Sequence, residues 1–437
     1  MADLKQLVRG VFHETLAAID IRATLARKVC REGSLLSVGD TCVNLATFSR
    51  ICVVAIGKAA HAMAEGLAAI LPSATAIEGV VCAPVPPAKP LPGLRYFAGG
   101  HPTPNAESWA AAQAILALLR GTHERTLIFF LLSGGGSALV ELPLDPAQKL
   151  EDVQQLHRAL VTCGASIDEI NTVRKHLSAV KGGRLAAAAP AATKITLAVS
   201  DVPAGKESAL ASGPALPDPT TVADFRRIVA EFRLGEKFSP ALQRWLAAGN
   251  PPETPKCGDP AFARAHFSLL LGVDDLFHPA HHAAEACGCI TCCDNTTDDW
   301  PVERAAGYLL AQLAELHRMH PRDRVAVVAD GEVSSPVTGG GLGGRNSAFV
   351  LACVEKIAGQ RIAVLSAGTD GLDGNSPAAG AVADGESLIR AKALGLDPAA
   401  FFRDSDAYNF FARLNDAIVT GPTGTNLRDL RVLIAEP

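Results

Sequence analysis

An α/β fold of two domains with mainly parallel sheets is predicted by three observations. Short β-rich runs recur along the 437 residues: ICVVAIG, TLIFFLLSGGG, KITLAVSD, HFSLLLG, RVAVVADG, RIAVLSAG and DAIVTG. Ala/Leu-rich helical text separates each run from the next, the pattern of a parallel sheet covered by helices on both faces. Polar residues and glycines gather directly after the runs, where the carboxyl ends of parallel strands bind ligands. The length suits two or three domains of about 100 to 200 residues each. Pro, Gly and polar residues interrupt the pattern in GNPPETPKCGDPAFARAH, residues 249–266, so the cut is placed between domains 1–250 and 251–437.

Composition removes several function classes. With 48% hydrophobic and 19% charged residues the chain is not largely disordered. Lys+Arg (40) and Asp+Glu (45) nearly balance at a net charge of −5, and no dense basic run provides a nucleic-acid footprint. The opening MADLKQLVRGVFHETLAAID alternates charges with periodic apolar residues, which fits a surface helix and not a signal peptide. Runs such as TLIFFLL are far shorter than the roughly 20 residues of a membrane span. Eleven cysteines, an odd number, include Cys30, Cys52, Cys82, Cys163 and Cys353 in apolar segments. A cytoplasmic, reducing location without membrane or nucleic-acid partners is expected, with a homodimer left open. No repeat of solenoid period and no low-complexity tract is present.

Taken in chain order, the first candidate is Lys58 in VVAIGKAAHAMAEG, one residue beyond a strand and at the start of a helix. A lysine there opposes the helix dipole unless an anionic ligand lies between them; a solvated lysine is the bland alternative. GGHPTPNAES offers His101 and Asn105 among prolines, either a rigid binding loop or an inert turn. Ser133, Gly134, Gly135, Gly136 and Ser137 follow a buried strand. Three successive glycines uncover backbone N–H groups and allow positive φ, as a phosphate or carboxylate cradle requires. Asp201 ends another strand, in SDVPAG.

The middle of the chain carries two clusters of different meaning. Cys287, Cys289, Cys292 and Cys293 lack paired C-x₂-C knuckles and read as a helix end, a Gly turn and a strand. His278, His281 and His282 lie on helical text with no H-E-x-x-H pattern and read as surface or packing residues.

Glu332 follows VAVVADG, ahead of the glycine cluster Gly339, Gly340, Gly341, Gly343 and Gly344. The cluster contains G-x-G-x-x-G, which keeps an NAD(P)-dependent reductase as the alternative reading. In a dinucleotide fold, however, the glycines follow the strand immediately, and here EVSSPVT intervenes. The segment reads better as a long flexible loop delivering Arg345 to an anion, with Asn346 beginning the next helix as a further ligand contact. No P-loop motif occurs. In SAGTDGLDGNSPAAGAVADG, Asp370 ends a strand and is taken as functional, Asp373 as a turn residue, and Asp384 stays open.

AIGKAAHAMAEG, GGHPTPNAES, LLSGGGSAL, INTVRKHLSAVKGGRLA, SDVPAG, ASGPALPDPTT, DGEVSSPVTGGGLGGRN, SAGTDGLDGNSPAAGAVAD and NFFARLNDAIVTGPTGTNLRDL together resemble glycerate 2-kinases of the MOFRL type, formerly often labelled hydroxypyruvate reductases. The resemblance spans roughly residues 8 to 434. It implies a Rossmann-like N-terminal domain, a MOFRL-type C-terminal domain and an active site in the cleft between them. It further implies ATP-dependent phosphorylation of D-glycerate at the 2-hydroxyl with Mg²⁺, giving 2-phosphoglycerate. The family's essential lysine falls on Lys58 and its essential arginine on Arg345; its acidic positions match Asp201, Glu332 and Asp370, any of which could hold Mg²⁺. Phosphoryl transfer needs positioning and neutralisation of negative charge, which glycine loops, one lysine, one arginine and scattered carboxylates can supply.

Overall fold

The computed structural model describes residues 3–202, 205–249, 251–425 and 427–437. They form two compact units, one of Ile21–Gly272 and one of Met1–Asp20 together with Val273–Pro437. Both are α/β.

In the first unit a small antiparallel sheet, β1 (Val29–Glu32), β2 (Leu35–Val38) and β3 (Thr41–Asn44), precedes the main sheet. That sheet contains β4 (Arg50–Ile56), β5 (Ile77–Ala83), β6 (Leu94–Ala98), β7 (Thr126–Ser133), β8 (Thr193–Val199) and β9 (Ala265–Leu271). All five pairings are parallel, in the order β6-β5-β4-β7-β8-β9. Every residue of β7 is buried, as a strand covered on both faces requires. The chain winds outward from β4 through β5 to β6, then crosses to β7 and continues the other way. The order therefore reverses between β4 and β7, and there the carboxyl ends of a doubly wound sheet open a crevice.

The helical text before residue 250 belongs to this unit. Phe225, Ile228 and Leu242 share a buried cluster with Leu156, Leu160, Ile170 and Val173 from helices Leu150–Val161 and Ile167–Leu177. The unit also takes in β9, which lies beyond the cut placed at 250/251.

The second unit is built on β10 (Cys289–Asp294), β11 (Arg324–Asp330), β12 (Ile362–Gly368), β13 (Gly380–Asp384), β14 (Ala417–Ile418) and β15 (Asp429–Ala435), in the order β10-β11-β15-β12-β13-β14. Only β10 and β11 pair in parallel. Mainly parallel sheets were expected in both domains; here the sheet is mixed. The run DAIVTG contributes just the two residues of β14, whereas the central β15 comes from DLRVLIA, whose apolar pattern Arg431 interrupts. Arg431 is fully buried, donating to the carbonyls of Asp330 (3.1 Å) and Gly331 (2.8 Å) with its guanidinium over the Phe349 ring. The opening helix, Leu4–Ala18, packs in this unit with Val8, Val11 and Phe12 inaccessible to solvent, and Lys5 bonds Asp416 at 3.1 Å. Cys287 and Gly288 form the turn between helix Asp274–Ala286 and β10, as their text suggests. Among the described residues no helix is long and apolar enough to cross a membrane.

Candidate active-site residues

At the reversal point of the parallel sheet two loops lock together. Gly57 leaves β4 with φ +127°, and a Cβ there would collide with the Ser133 hydroxyl and backbone, so only glycine lets the loops approach this closely. The Lys58 N–H donates to the Gly134 carbonyl at 3.0 Å, and the Ala59 N–H to the buried Ser133 Oγ at 3.0 Å. Gly135 is left-handed at φ +84°; a Cβ on it would lie 3.3 Å from His101 Cδ2 and 3.5 Å from Lys58 Cγ. The structure thus brings Lys58, His101 and the glycine loop together. Ser133 pairs with Val199 of β8, and Asp201 follows two residues later at the same edge of the sheet. Pro203 and Ala204 of its SDVPAG motif lie outside the described residues. Asn105 is a helix cap: its side chain accepts from Ser108 N in a capping box that opens helix Ala106–Arg120.

Behind the loop lies a buried ion pair. Lys181 reaches Glu141 Oε2 at 2.7 Å and the Val140 carbonyl at 2.9 Å, while Ser178 donates to Glu141 Oε1 at 2.5 Å. Burial pushes the Glu141 carboxyl up, but Lys181 and His157 outweigh it and hold the group at about 2. A carboxyl lowered on folding stabilises the protein above its unfolded value near 4.3, and that stability drains as pH falls toward 2. Denaturant unfolding at pH 6 and pH 3 should show a steeper acid loss for the natural protein than for Glu141→Gln/Lys181→Met, where both charges are gone; equal losses would contradict this.

The second unit gathers its charges where β11 and β12 end and β15 begins. Register places Asp330 opposite Leu430 and Gly368 opposite Asp429, so the residues flanking these pairs share one sheet edge. Arg345, the first residue of helix Arg345–Val354, donates from Nε to Asp429 Oδ2 at 2.5 Å and from Nη1 to Glu332 Oε2 at 2.7 Å. Burial lowers the Arg345 pKa, but Asp429 and Glu332 more than reverse this and hold it above its usual value. Beside them Arg428 pairs with Asp298 and, at 3.4 Å, with Asp330. Asp330 is buried, its Oδ1 lacks a protein partner, and burial raises its pKa against the pull of Arg428.

The glycine cluster before Arg345 is not a free loop. Cβ atoms on Gly339, Gly341 and Gly344 would run into Asp404, Asp406 and Asp373, while Gly343 N donates to Asn375 Oδ1 at 2.8 Å. Where sequence suggests a flexible delivery loop, Gly339, Gly341, Gly343 and Gly344 admit neighbouring backbone, while Gly340 has open space around it. Asn346 is buried, its Oδ1 accepting from Ser366 Oγ at 2.6 Å and its N–H donating to Asp373 Oδ1 at 2.9 Å. Asp373 also accepts from Ser347, so this buried carboxylate caps the helix. Asp370 accepts from Leu372 N at the edge of β12. Asp384 accepts from Ser387 Oγ and meets Lys5 at 3.4 Å, a structural role.

Two family models match the chain, one described as a domain of unknown function (DUF4147) over residues 7–247 and the MOFRL family over residues 325–429. A D-glycerate 2-kinase of Thermotoga maritima is 34% identical over 385 residues, 87% of this chain and 89% of that protein. This chain belongs to the MOFRL glycerate kinase family. A crystal structure of glycerate kinase from Thermotoga maritima superimposes with a TM-score of 0.82 at 32% identity, covering 99% of each chain. An Agrobacterium vitis protein provisionally named hydroxypyruvate reductase is 37% identical over 88% of this chain and 87% of that protein.

For a member of the MOFRL glycerate kinase family, two sets of polar residues stand out, one in each unit. Sequence reasoning reached Lys58, His101 and Ser133 to Ser137 in the first, and Arg345, Glu332 and Asp370 in the second. It missed Asp429, Arg428, Asp330 and Asp298. Arg428 and Asp429 stand in the family motif TNLRDL, but nothing in that text says they open a central strand beside Arg345; Asn426 of the motif lies outside the described residues.

Proposed function

We propose that this chain transfers the γ-phosphoryl group of ATP to the 2-hydroxyl of D-glycerate, giving 2-phosphoglycerate and ADP. The observation that carries this reading is the meeting of Lys58, His101 and Gly135 at the reversal point of a six-stranded parallel sheet, where such sheets hold anionic ligands. Lys58 neutralises phosphate charge, and the glycine backbone beside it lets an anion approach closely. Arg345 supplies the second cation. Its planar fork, aligned by Asp429 and Glu332, suits the equatorial oxygens of a transferring phosphoryl group.

Glu332 and Asp370 in one unit and Asp201 in the other offer hard oxygen ligands, and Asp330 keeps a buried oxygen without a protein partner. Among the described residues no three His, Cys, Asp or Glu side chains are grouped to cage a metal. That fits a cation held by one or two carboxylates plus the nucleotide phosphates, the usual state of Mg²⁺, where it offsets phosphate charge. EDTA should therefore stop turnover while leaving the melting temperature of the ligand-free protein unchanged. A large fall in that temperature would reveal a structural metal.

No observation favours the NAD(P)-dependent reductase. The spaces around Gly339, Gly341 and Gly344 are filled by protein, and the first strand-to-helix turn of the parallel sheet reads Gly57-Lys58-Ala59-Ala60 instead of three spaced glycines. With ATP, Mg²⁺ and D-glycerate, product formation should couple directly to enolase, which consumes 2-phosphoglycerate and not its 3-isomer. Hydroxypyruvate-dependent NADH oxidation without kinase activity would reverse the assignment.

A further inference from the structure

The glycine loop after β7 is supported by a chain of hydroxyls. Ser137 Oγ lies 2.8 Å from Ser212 Oγ, and Ser212 donates to Asn171 Oδ1 at 2.9 Å. Ser212 and Asn171 are buried, whereas Ser137 is part-exposed. Ser212 stands in a turn of three successive left-handed residues, Ala211, Ser212 and Gly213, with φ of 51°, 60° and 62°. Two of these are not glycine, and backbone of that kind persists only where its surroundings impose it, often at functional sites. The surroundings do impose it: Gly182 N donates to the Ser212 carbonyl at 3.0 Å and Gly183 N to that of Gly213 at 2.7 Å. A Cβ on Gly136 would lie 2.6 Å from the Ala211 Cβ, so turn and loop are packed as one body.

The direction of this chain follows from counting protons. A hydroxyl carries one proton and two lone pairs. Ser212 gives its proton to Asn171, so toward Ser137 it can only accept, and Ser137 must donate. The Ser137 proton is thereby engaged, and the oxygen of this part-exposed residue offers lone pairs alone. Lone pairs repel a phosphate or carboxylate oxygen and match a hydroxyl donor. We propose that Ser212 is a positioning residue that holds Ser137 as a hydrogen-bond acceptor, and that Ser137 selects for a hydroxyl group on the bound ligand. Anion binding by this loop then falls to backbone and Lys58, not to the serine hydroxyl. The inference rests on the kinase reading, and the hydroxyl selected is one that is not phosphorylated: the 3-hydroxyl of glycerate or a ribose hydroxyl of the nucleotide.

Calorimetric Kd ratios test it without turnover, so failure of the kinase reading shows separately, in the enolase-coupled assay. One ratio compares D-lactate, which keeps the carboxylate and 2-hydroxyl but lacks the 3-hydroxyl, with D-glycerate; the other compares 2′-deoxy- and 3′-deoxy-ATP with ATP. In Ser137→Ala and Ser212→Gly alike, one ratio should fall about tenfold or more, because the hydroxyl has lost its acceptor. Collapse of the first assigns the glycerate hydroxyl, and collapse of the second assigns the ribose. Glycine suits the left-handed turn, so Ser212→Gly should retain its melting temperature. Asn171→Asp, still an acceptor, should keep the natural ratios. Unchanged ratios in Ser137→Ala would overturn the selection, a loss in Ser137→Ala but not Ser212→Gly would overturn the positioning role, and a loss in Asn171→Asp would reverse the chain's direction.

Discussion

Replacing Lys58 by Met should lower kcat/KM for glycerate phosphorylation by on the order of 10³-fold, the scale on which a single preorganised charge contact acts in a transition state. The expectation rests on where the side chain starts. Its backbone N–H is fixed to Gly134 at 3.0 Å, and its Cγ lies 3.5 Å from the site a Gly135 Cβ would occupy. The lysine side chain thus starts beside the Gly135 loop. Methionine keeps the length and apolar stem of lysine but carries no charge, and the Lys58 backbone bond survives the change. The melting temperature should therefore move by no more than a few degrees. Lys58→Arg should recover only part of the activity, since a planar fork cannot occupy the position of a compact ammonium. Steady-state kinetics beside thermal melts decide the matter: a Met variant that turns over at near-natural rates would remove Lys58 from the reaction. A variant that loses activity only in proportion to its folded fraction would make it a scaffold residue.

The parallel unit was legible because burial on both faces leaves uninterrupted apolar runs, and every residue of β7 is such a run. Its candidate site was legible for the same reason, since the residue after each run marks the carboxyl edge. The mixed sheet hid more. Strand direction leaves no trace in an apolar run, and β15 is broken by Arg431, whose charge is accommodated by two carbonyls and a ring. The glycine cluster shows how far composition reaches: glycines signal close approach without saying to what. Here much of what approaches is the chain's own backbone at Asp404, Asp406 and Asp373. Asp429 was out of reach because its meaning lies in a partner 84 residues away.

Arg345→Lys should cost about 10²-fold or more in kcat, by analogy with arginines that stabilise other phosphoryl transfers, while KM changes less. Lysine keeps the charge but can serve only one of the positions now met by Nε and Nη1, toward Asp429 and Glu332. The side chain's surroundings also bear on stability. Asp429 exposes 4% of its side chain and Arg345 35%, so the pair lies between a surface and a buried ion pair. Arg345→Ala should then destabilise the protein by about 2 kcal/mol, above the 0 to 1 kcal/mol of exposed pairs and below the 3 to 5 kcal/mol of breaking fully buried ones. Arg345→Ala/Asp429→Asn, which removes the stranded carboxylate, should regain much of that stability and none of the activity. Such a split would separate two tasks of the arginine, stability following the pairing with Asp429 and turnover following the proposed phosphoryl contact. Denaturant unfolding and kinetics on the three variants measure it. Recovery of activity in the double variant, or an Arg345→Lys enzyme with unchanged kcat, would assign Arg345 to the scaffold and leave Lys58 as the sole supported phosphate contact.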